Sequence, residues 1–125
     1  MSRRLIYTTL VLIALSSCGK QKVELEGFDK AAWQADTYGC NDTRMAQLEV
    51  VKANRELLLE KTQNEIKSVL GSPDEHELYE RTRKFFYYYL EPSDKCGDST
   101  NTYPRILQIR FNALDISNEI FIKNE

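Results

Sequence analysis

At Gly71-Ser72-Pro73 the hydrophobic period of this chain changes, and that change constrains its fold more than any other feature. Upstream, apolar residues recur at helical intervals; downstream they alternate, so helices precede strands within one packed unit. The stretch leading into the change, "TQNEIKSVLGSPD", reads as a complete short helix. Thr62 and Glu65 form a Thr-x-x-Glu capping box, in which each side chain reaches the other's orphan backbone donor. Ile66, Val69 and Leu70 supply an apolar face, Gly71 is placed to leave in the left-handed conformation, and Pro73 prevents continuation. So short a helix is marginal alone and must be held by packing.

Further upstream, "GCND" at residues 39–42 marks a turn, with Asn41 a good N-cap and Asp42 well placed in a first turn. From there to Glu60 the chain has no Gly or Pro. Met45, Leu48, Val51, Leu58 and Leu59 give an apolar stripe, widened by Ala46, Val50 and Leu57, while Lys52, Arg55, Glu56 and Glu60 mark its solvated boundary. The spacing predicts one long helix. Before the turn, "FDKAAWQADTY" spaces Phe28, Trp33 and Tyr38 at intervals of five. Asp29 can cap a short helix that buries Trp33 in the core.

After Pro73 the chain reads as strands. Residues 77–81 carry Leu78 and Tyr79, residues 81–84 make a polar turn, and "KFFYYYL" at 84–90 is a strand by its aromatic content. Alternation sets Phe85, Tyr87 and Tyr89 on one face and Phe86, Tyr88 and Leu90 on the other. One aromatic face packs on the helices; the second is either covered or offered to a partner. Residues 91–104 form a turn-rich loop holding Cys96. "RILQIRFN" at 105–112 comes next as a strand with Leu107, Ile109 and Phe111 as its core face and Ile106, Gln108 and Arg110 opposite. A tight connection leads to a last strand at 116–123, with Ile116, Ile120 and Ile122. The expected class is α+β: a long helix and a short capped one packed on an antiparallel sheet of about four strands.

The N-terminus has a different logic. Arg3 and Arg4 precede the uncharged, mostly apolar run from Leu5 to Leu15, the pattern of a secretory signal. Lys20, Lys22 and Glu24 end that run too early for a spanning helix, which wants about 20 apolar residues. Ser2-Arg3-Arg4 resembles a twin-arginine signal, but Leu5-Ile6-Tyr7 fits that motif only loosely, so the general secretory route is expected. Leu15-Ser16-Ser17-Cys18 resembles the bacterial lipobox. That resemblance implies cleavage before Cys18, diacylglycerol on its sulfur, and an acyl group such as palmitate on the new amino group. Several acyl chains at about 0.8 kcal/mol per methylene make a stable anchor in membrane lipid. The expected layout is a signal peptide at 1–17, a lipidated tether at 18–27 and a single domain at 28–125. Gly19 is not the aspartate associated with inner-membrane retention in enteric bacteria, so the outer membrane is the expected location.

Removal of residues 1–17 from the 125 leaves 108, and loss of Arg3 and Arg4 moves the net charge from −2 to about −4. Such a mildly acidic chain has no basic patch for nucleic acid. With Cys18 acylated, Cys40 and Cys96 remain as an even pair, whose default in an oxidising periplasm is a disulfide. It would close a loop of about 55 residues, worth roughly 4 kcal/mol in the chain-entropy model. A metal site or redox pair is the alternative, but His76 is the sole histidine and no Cys-x-x-Cys occurs.

From Thr62 onward, "TQNEIKSVLGSPDEHELYERTRKFFYYYL" followed by "LQIRFNALDISNEIFI" resembles the SmpA/OmlA-type lipoprotein fold, and half of the beta-lactamase inhibitor protein fold. The shared order is a capped helix ending in Leu-Gly-x-Pro, a tyrosine-rich strand, and a hairpin whose first strand ends near Phe-Asn. The residues that carry it are Thr62, Glu65, Leu70, Gly71, Pro73, Tyr87, Tyr89, Phe111 and Asn112. The "FD…W…D…GC" opening and "IRFN" are also similar to small lipoproteins of Bacteroidetes-type bacteria. A fold does not carry a function by itself.

No catalytic residues, metal ligands or cofactor motif are nominated. His76 reads as an exposed loop histidine, and Asp74, Glu75 and Glu77 read as a solvated acidic cluster. No nucleophile elbow or glycine-rich phosphate loop appears. The leading expectation is a non-catalytic binding or scaffold module for an envelope protein, with outer-membrane assembly or maintenance as its setting. Tyr87, Tyr88 and Tyr89 form its candidate contact face, with Arg83, Lys84 and Arg110 at the rim. The alternatives are an inhibitor of an envelope hydrolase and a small hydrolase using His76.

Overall fold

The architecture divides where the period changes. The computed structural model describes residues 22–79, 83–97 and 100–124. The expected signal segment, Cys18 and residues 81–82 of the expected turn lie outside the described residues.

Four strands, β1 (Glu75–Tyr79), β2 (Arg83–Tyr89), β3 (Arg105–Phe111) and β4 (Ser117–Asn124), form an antiparallel sheet in the order 1-2-3-4. Short helices cover one face of it, an α+β fold. They are α1 (Lys30–Ala35), α2 (Thr43–Ala46), α3 (Leu48–Ala53) and α4 (Gln63–Leu70), with tight 3-10 turns at Thr37–Gly39 and Arg55–Leu58. β1 starts two residues earlier than the alternation indicates.

The expected long helix is not formed; the chain from 43 to 58 breaks at Gln47 and Asn54. The reason lies in the spacing. Met45, Leu48 and Val51 are three apart, so a straight helix of 3.6 residues per turn would swing them off one line by about 60° per step. Shorter bonds at the breaks, Gln47 N–H to Arg44 O at 3.0 Å and Asn54 N–H to Val51 O at 3.2 Å, bring such residues back into register. The two breaking amides also tie down the N-terminal segment. Gln47 accepts from Asp29 N and donates to Asp29 O, and Asn54 Nδ2 donates to Glu26 O. Leu57, expected to widen the stripe, is left exposed.

α4 has the expected start and stop. Thr62 Oγ1 accepts from Glu65 N at 3.2 Å, although the Glu65 carboxylate meets the Thr62 hydroxyl rather than its backbone. Gly71 leaves with φ +76° and ψ −177°, an extended positive-φ conformation rather than the left-handed helical one expected, and a Cβ there would strike the Gln34 side chain. Asn41 does not cap α2. Buried Asp36 caps it from outside, accepting from Asn41 N at 2.7 Å and Arg44 N at 2.9 Å. α1 is capped by Asp29, and Trp33 is buried as expected.

The core face of the sheet carries Phe86, Tyr88, Leu90, Leu107, Ile109, Phe111 and Ile120 against Trp33, Leu48, Val51, Leu58, Ile66, Val69 and Leu70. Leu25 joins this cluster at 7% exposure and Val23 packs beside it. Within the stretch expected as a tether over 18–27, Val23 and Leu25 thus pack on the domain.

A buried charge sits at the centre. Arg44 lies within the core, its guanidinium 5.4 Å from the Trp33 ring centroid and 5.7 Å from that of Tyr88. Its Nη1 is 2.5 Å from Asp74 Oδ2 and donates to Tyr89 O, while its Nε donates to Trp33 O. Asp74 also accepts from the backbone N–H groups of Tyr38 and Tyr89. Asp74 is thus a buried ion-pair partner rather than part of a solvated cluster, because it must balance Arg44 in a place without water.

Candidate functional site

The helices leave the other face of the sheet uncovered over part of its area. Register defines two cross-strand rows there: Glu75, Tyr87, Gln108 and Phe121, and Glu77, Phe85, Arg110 and Glu119. The Phe85 and Tyr87 rings lie 6.2 Å apart and nearly parallel, as i and i+2 on one strand require. Together with Glu77, Arg83, Gln108, Phe121 and Lys123 they line a groove of about 490 Å³.

At the floor of this groove Gln108 is only 4% exposed, yet its carboxamide makes no hydrogen bond among the described residues. The acids around it are engaged. Tyr87 Oη donates to Glu77 Oε2 at 2.7 Å, and Arg110 Nη1 to Glu119 Oε2 at 3.2 Å. Among the described residues, Arg110 Nε is buried without a partner, and Arg83 and Lys123 have no ion pair. The unsatisfied groups of the face are therefore mainly donors and cations.

Toward Cys96 the same face is closed. Tyr89 is buried, with Tyr38 edge-on at 5.1 Å and its hydroxyl donating to Glu75 Oε2 at 3.2 Å. Ile106 pairs opposite Tyr89 and is buried too, so β3 is covered on both faces here. Cys40 and Cys96 are bonded, Cα atoms 5.7 Å apart, fastening the loop after β2 to the turn before α2. Gly39 in that turn approaches Tyr89 O so closely that a Cβ would lie 2.7 Å from it. Arg105 clamps the loop from the sheet: its N–H and Nε both donate to Glu91 Oε1, and that bonding holds the Glu91 carboxyl below the usual carboxylate range.

The three candidate tyrosines thus separate. Tyr87 lies on the open face. Tyr89 shares that face under cover of Tyr38. Tyr88 points the other way, 0% exposed, its hydroxyl donating to Gly71 O at 2.8 Å, and it offers no contact area. Burial pushes the Tyr88 phenol well above its ordinary pKa, and Asp74 adds to the rise while Arg44 opposes it. Arg83 and Arg110 belong to the open face, whereas Lys84 is on the core side and pairs with Asp115 at 2.7 Å. His76 is exposed on edge strand β1, opposite Phe86. No cluster of His, Cys, Asp and Glu suited to a metal occurs among the described residues.

Sequence reading missed Gln108 and Phe121 as site residues. The signal was present: each falls out of phase with the isoleucines and leucines that mark the core face of its strand. Compared with family models, curated proteins and solved structures, the chain matches none.

Proposed function

We propose that this protein is a lipid-anchored, non-catalytic binding module of the cell envelope, and that its open sheet face takes a protein partner. The observation that carries the reading is Arg110 Nε, a donor buried without a partner among the described residues, on the same open face as the aromatic groove floored by Gln108. A buried donor left unpaired is costly, and a partner that accepts from Arg110 Nε while bonding the Gln108 carboxamide removes that cost. The flanking cations Arg83 and Lys123 select a partner that brings carboxylates or carbonyls. Rings beside arginine make the usual energetic centre of a protein contact. Support for the anchor comes from the charged, apolar and small-residue run ending at Cys18. The Cys40–Cys96 bond suits an oxidising compartment. The likeness to SmpA/OmlA-type lipoproteins directs the search to outer-membrane assembly.

The test is photo-crosslinking in cells, with a photoreactive analogue at Phe121 or, as a control, at Leu57 on the helix side. The expected result is one discrete adduct with an envelope protein from Phe121, absent from Leu57 and lost in Gln108→Leu and Arg83→Glu. Identical adducts from both positions would sink the proposal. An adduct with a hydrolase whose turnover falls on binding would replace the scaffold with an inhibitor. Turnover by the protein itself, abolished in His76→Ala, would overturn the non-catalytic reading.

A further inference from the structure

We infer that the helix layer, not the open sheet face, is the surface this domain lays against the lipid bilayer. The inference rests on the proposed anchor at Cys18 and adds the orientation that the anchor imposes. Its basis is where the first described residues are held. Leu25 is locked in the core and Val23 packs beside it. Residues 22–25 line a groove with Phe28, Lys30, Ser68 and Val69, all on or next to α1 and α4, and no residue of the sheet lines it. The chain therefore leaves the domain at Lys22 from the helix layer.

From Cys18 to Lys22 there are four peptide steps, which span at most about 14 Å whatever their conformation. The open sheet face lies on the far side of one helix, about 10–12 Å across with its side chains, and of the sheet itself. A leash of that length does not carry the chain around both layers, so Phe85, Tyr87 and Phe121 cannot lie flat on the membrane that holds Cys18. They look into the aqueous space, where a partner reaches them. The helix-side surface at the chain exit instead meets headgroups, with Lys22 and Lys30 exposed at the rim of that groove and outnumbering the one exposed acid that lines it, Glu24. Lysines so placed suit lipid phosphates.

The experiment uses the acylated full-length protein in nanodiscs of phosphatidylethanolamine and phosphatidylglycerol, doped with a headgroup-spin-labelled lipid. Paramagnetic broadening of backbone amides is read by NMR, and the mass of the protein reports acylation of Cys18. The expected broadening at Lys30, Ser68 and Val69 is several-fold that at Tyr87, Gln108 and Phe121. A flexible Gly-Ser insert of about a dozen residues after Gly19, long enough to reach around both layers, should level the difference. Broadening that is equal on both faces in the parent protein, or stronger at Phe121, overturns the orientation and leaves the anchor standing. A protein without acyl mass on Cys18 overturns the anchor, and this inference falls with it.

Discussion

One strand, β2, supplies alternate aromatic residues to two faces with opposite fates. Phe86 and Tyr88 are sealed in the core beneath helices, while Phe85 and Tyr87 stand half-buried on the uncovered face. Residue type does not distinguish them, since each face receives a phenylalanine and a tyrosine from adjacent positions. The distinction lies in the hydroxyl partner. Tyr88 donates to the backbone carbonyl of half-buried Gly71, and Tyr87 donates to an exposed carboxylate. A core aromatic is thus tied to main chain and an open one to a side chain that can exchange it for another partner.

The sharpest way to break the core side is through Arg44. Arg44→Ala leaves the Asp74 carboxylate buried, with two backbone N–H groups but no cation. Removing one partner of such a pair costs about 3–5 kcal/mol, a large share of a small domain's stability. The expected result in urea denaturation is a much lower midpoint, or no folded protein, with part of the loss recovered in Arg44→Met/Asp74→Asn. A midpoint for Arg44→Ala within error of the parent would show that the buried charge does not hold the core together.

The covered end of the far face gives the next effect. Cys40 and Cys96 are 56 apart in sequence, and both sulfurs lie 3.9 Å from the carbonyl oxygen of Tyr38, whose ring packs edge-on against Tyr89. Cys40→Ala/Cys96→Ala is expected to lose about 2–4 kcal/mol by freeing the unfolded chain. Amide exchange should quicken at Tyr89 and Ile106 and stay unchanged at Phe86. If protection fell equally on both faces, the disulfide would be holding the whole sheet rather than one end.

How much of this was legible in the sequence depends on the range of the determinants. The capped helix α4 was readable because Thr62, Glu65 and Gly71 act over short spans of chain. β2 was readable from its aromatic content and the core face of β3 from alternation, while β1 begins at Glu75, ahead of the alternation. The long helix was misread because apolar content alone favours it, while the three-residue steps at Met45, Leu48 and Val51 already implied tightening. Arg44 has the look of another surface cation. Its burial depends on Asp74, 30 positions away, and no local signal announces a pairing across that distance. The open face was half visible: the phase exposed Phe85 and Tyr87, but the groove needs Gln108 and Phe121, brought in by pairing with β3 and β4.

A smaller effect tests the two hydroxyls directly. Tyr88→Phe leaves the Gly71 carbonyl without its partner, at an expected cost of about 1–2 kcal/mol. Tyr87→Phe frees an exposed carboxylate and should stay within about 0.5 kcal/mol of the parent. Chemical denaturation of both variants decides it. Equal losses would mean that the open face contributes to folding no less than the core does, and would remove the ground for treating it as a binding surface.

The smallest effect is a pH dependence at the edge of the covered region. Hydrogen bonding from Arg105 lowers the Glu91 carboxyl in the folded protein, so its contribution is fully present above the unfolded value of about 4.3 and fades as pH falls through the lower folded value. Glu91 is partly exposed, so solvent screens the pair and the contribution is modest. Glu91→Gln should therefore be slightly less stable than the parent at pH 7, with the gap narrowing below about pH 4 in urea titrations. A gap of constant size would mean that Glu91 acts through the geometry of its bond to Arg105 N–H, which glutamine retains in part, and not through its charge. In that case the loop after β2 is held by the disulfide, and its closure is independent of pH.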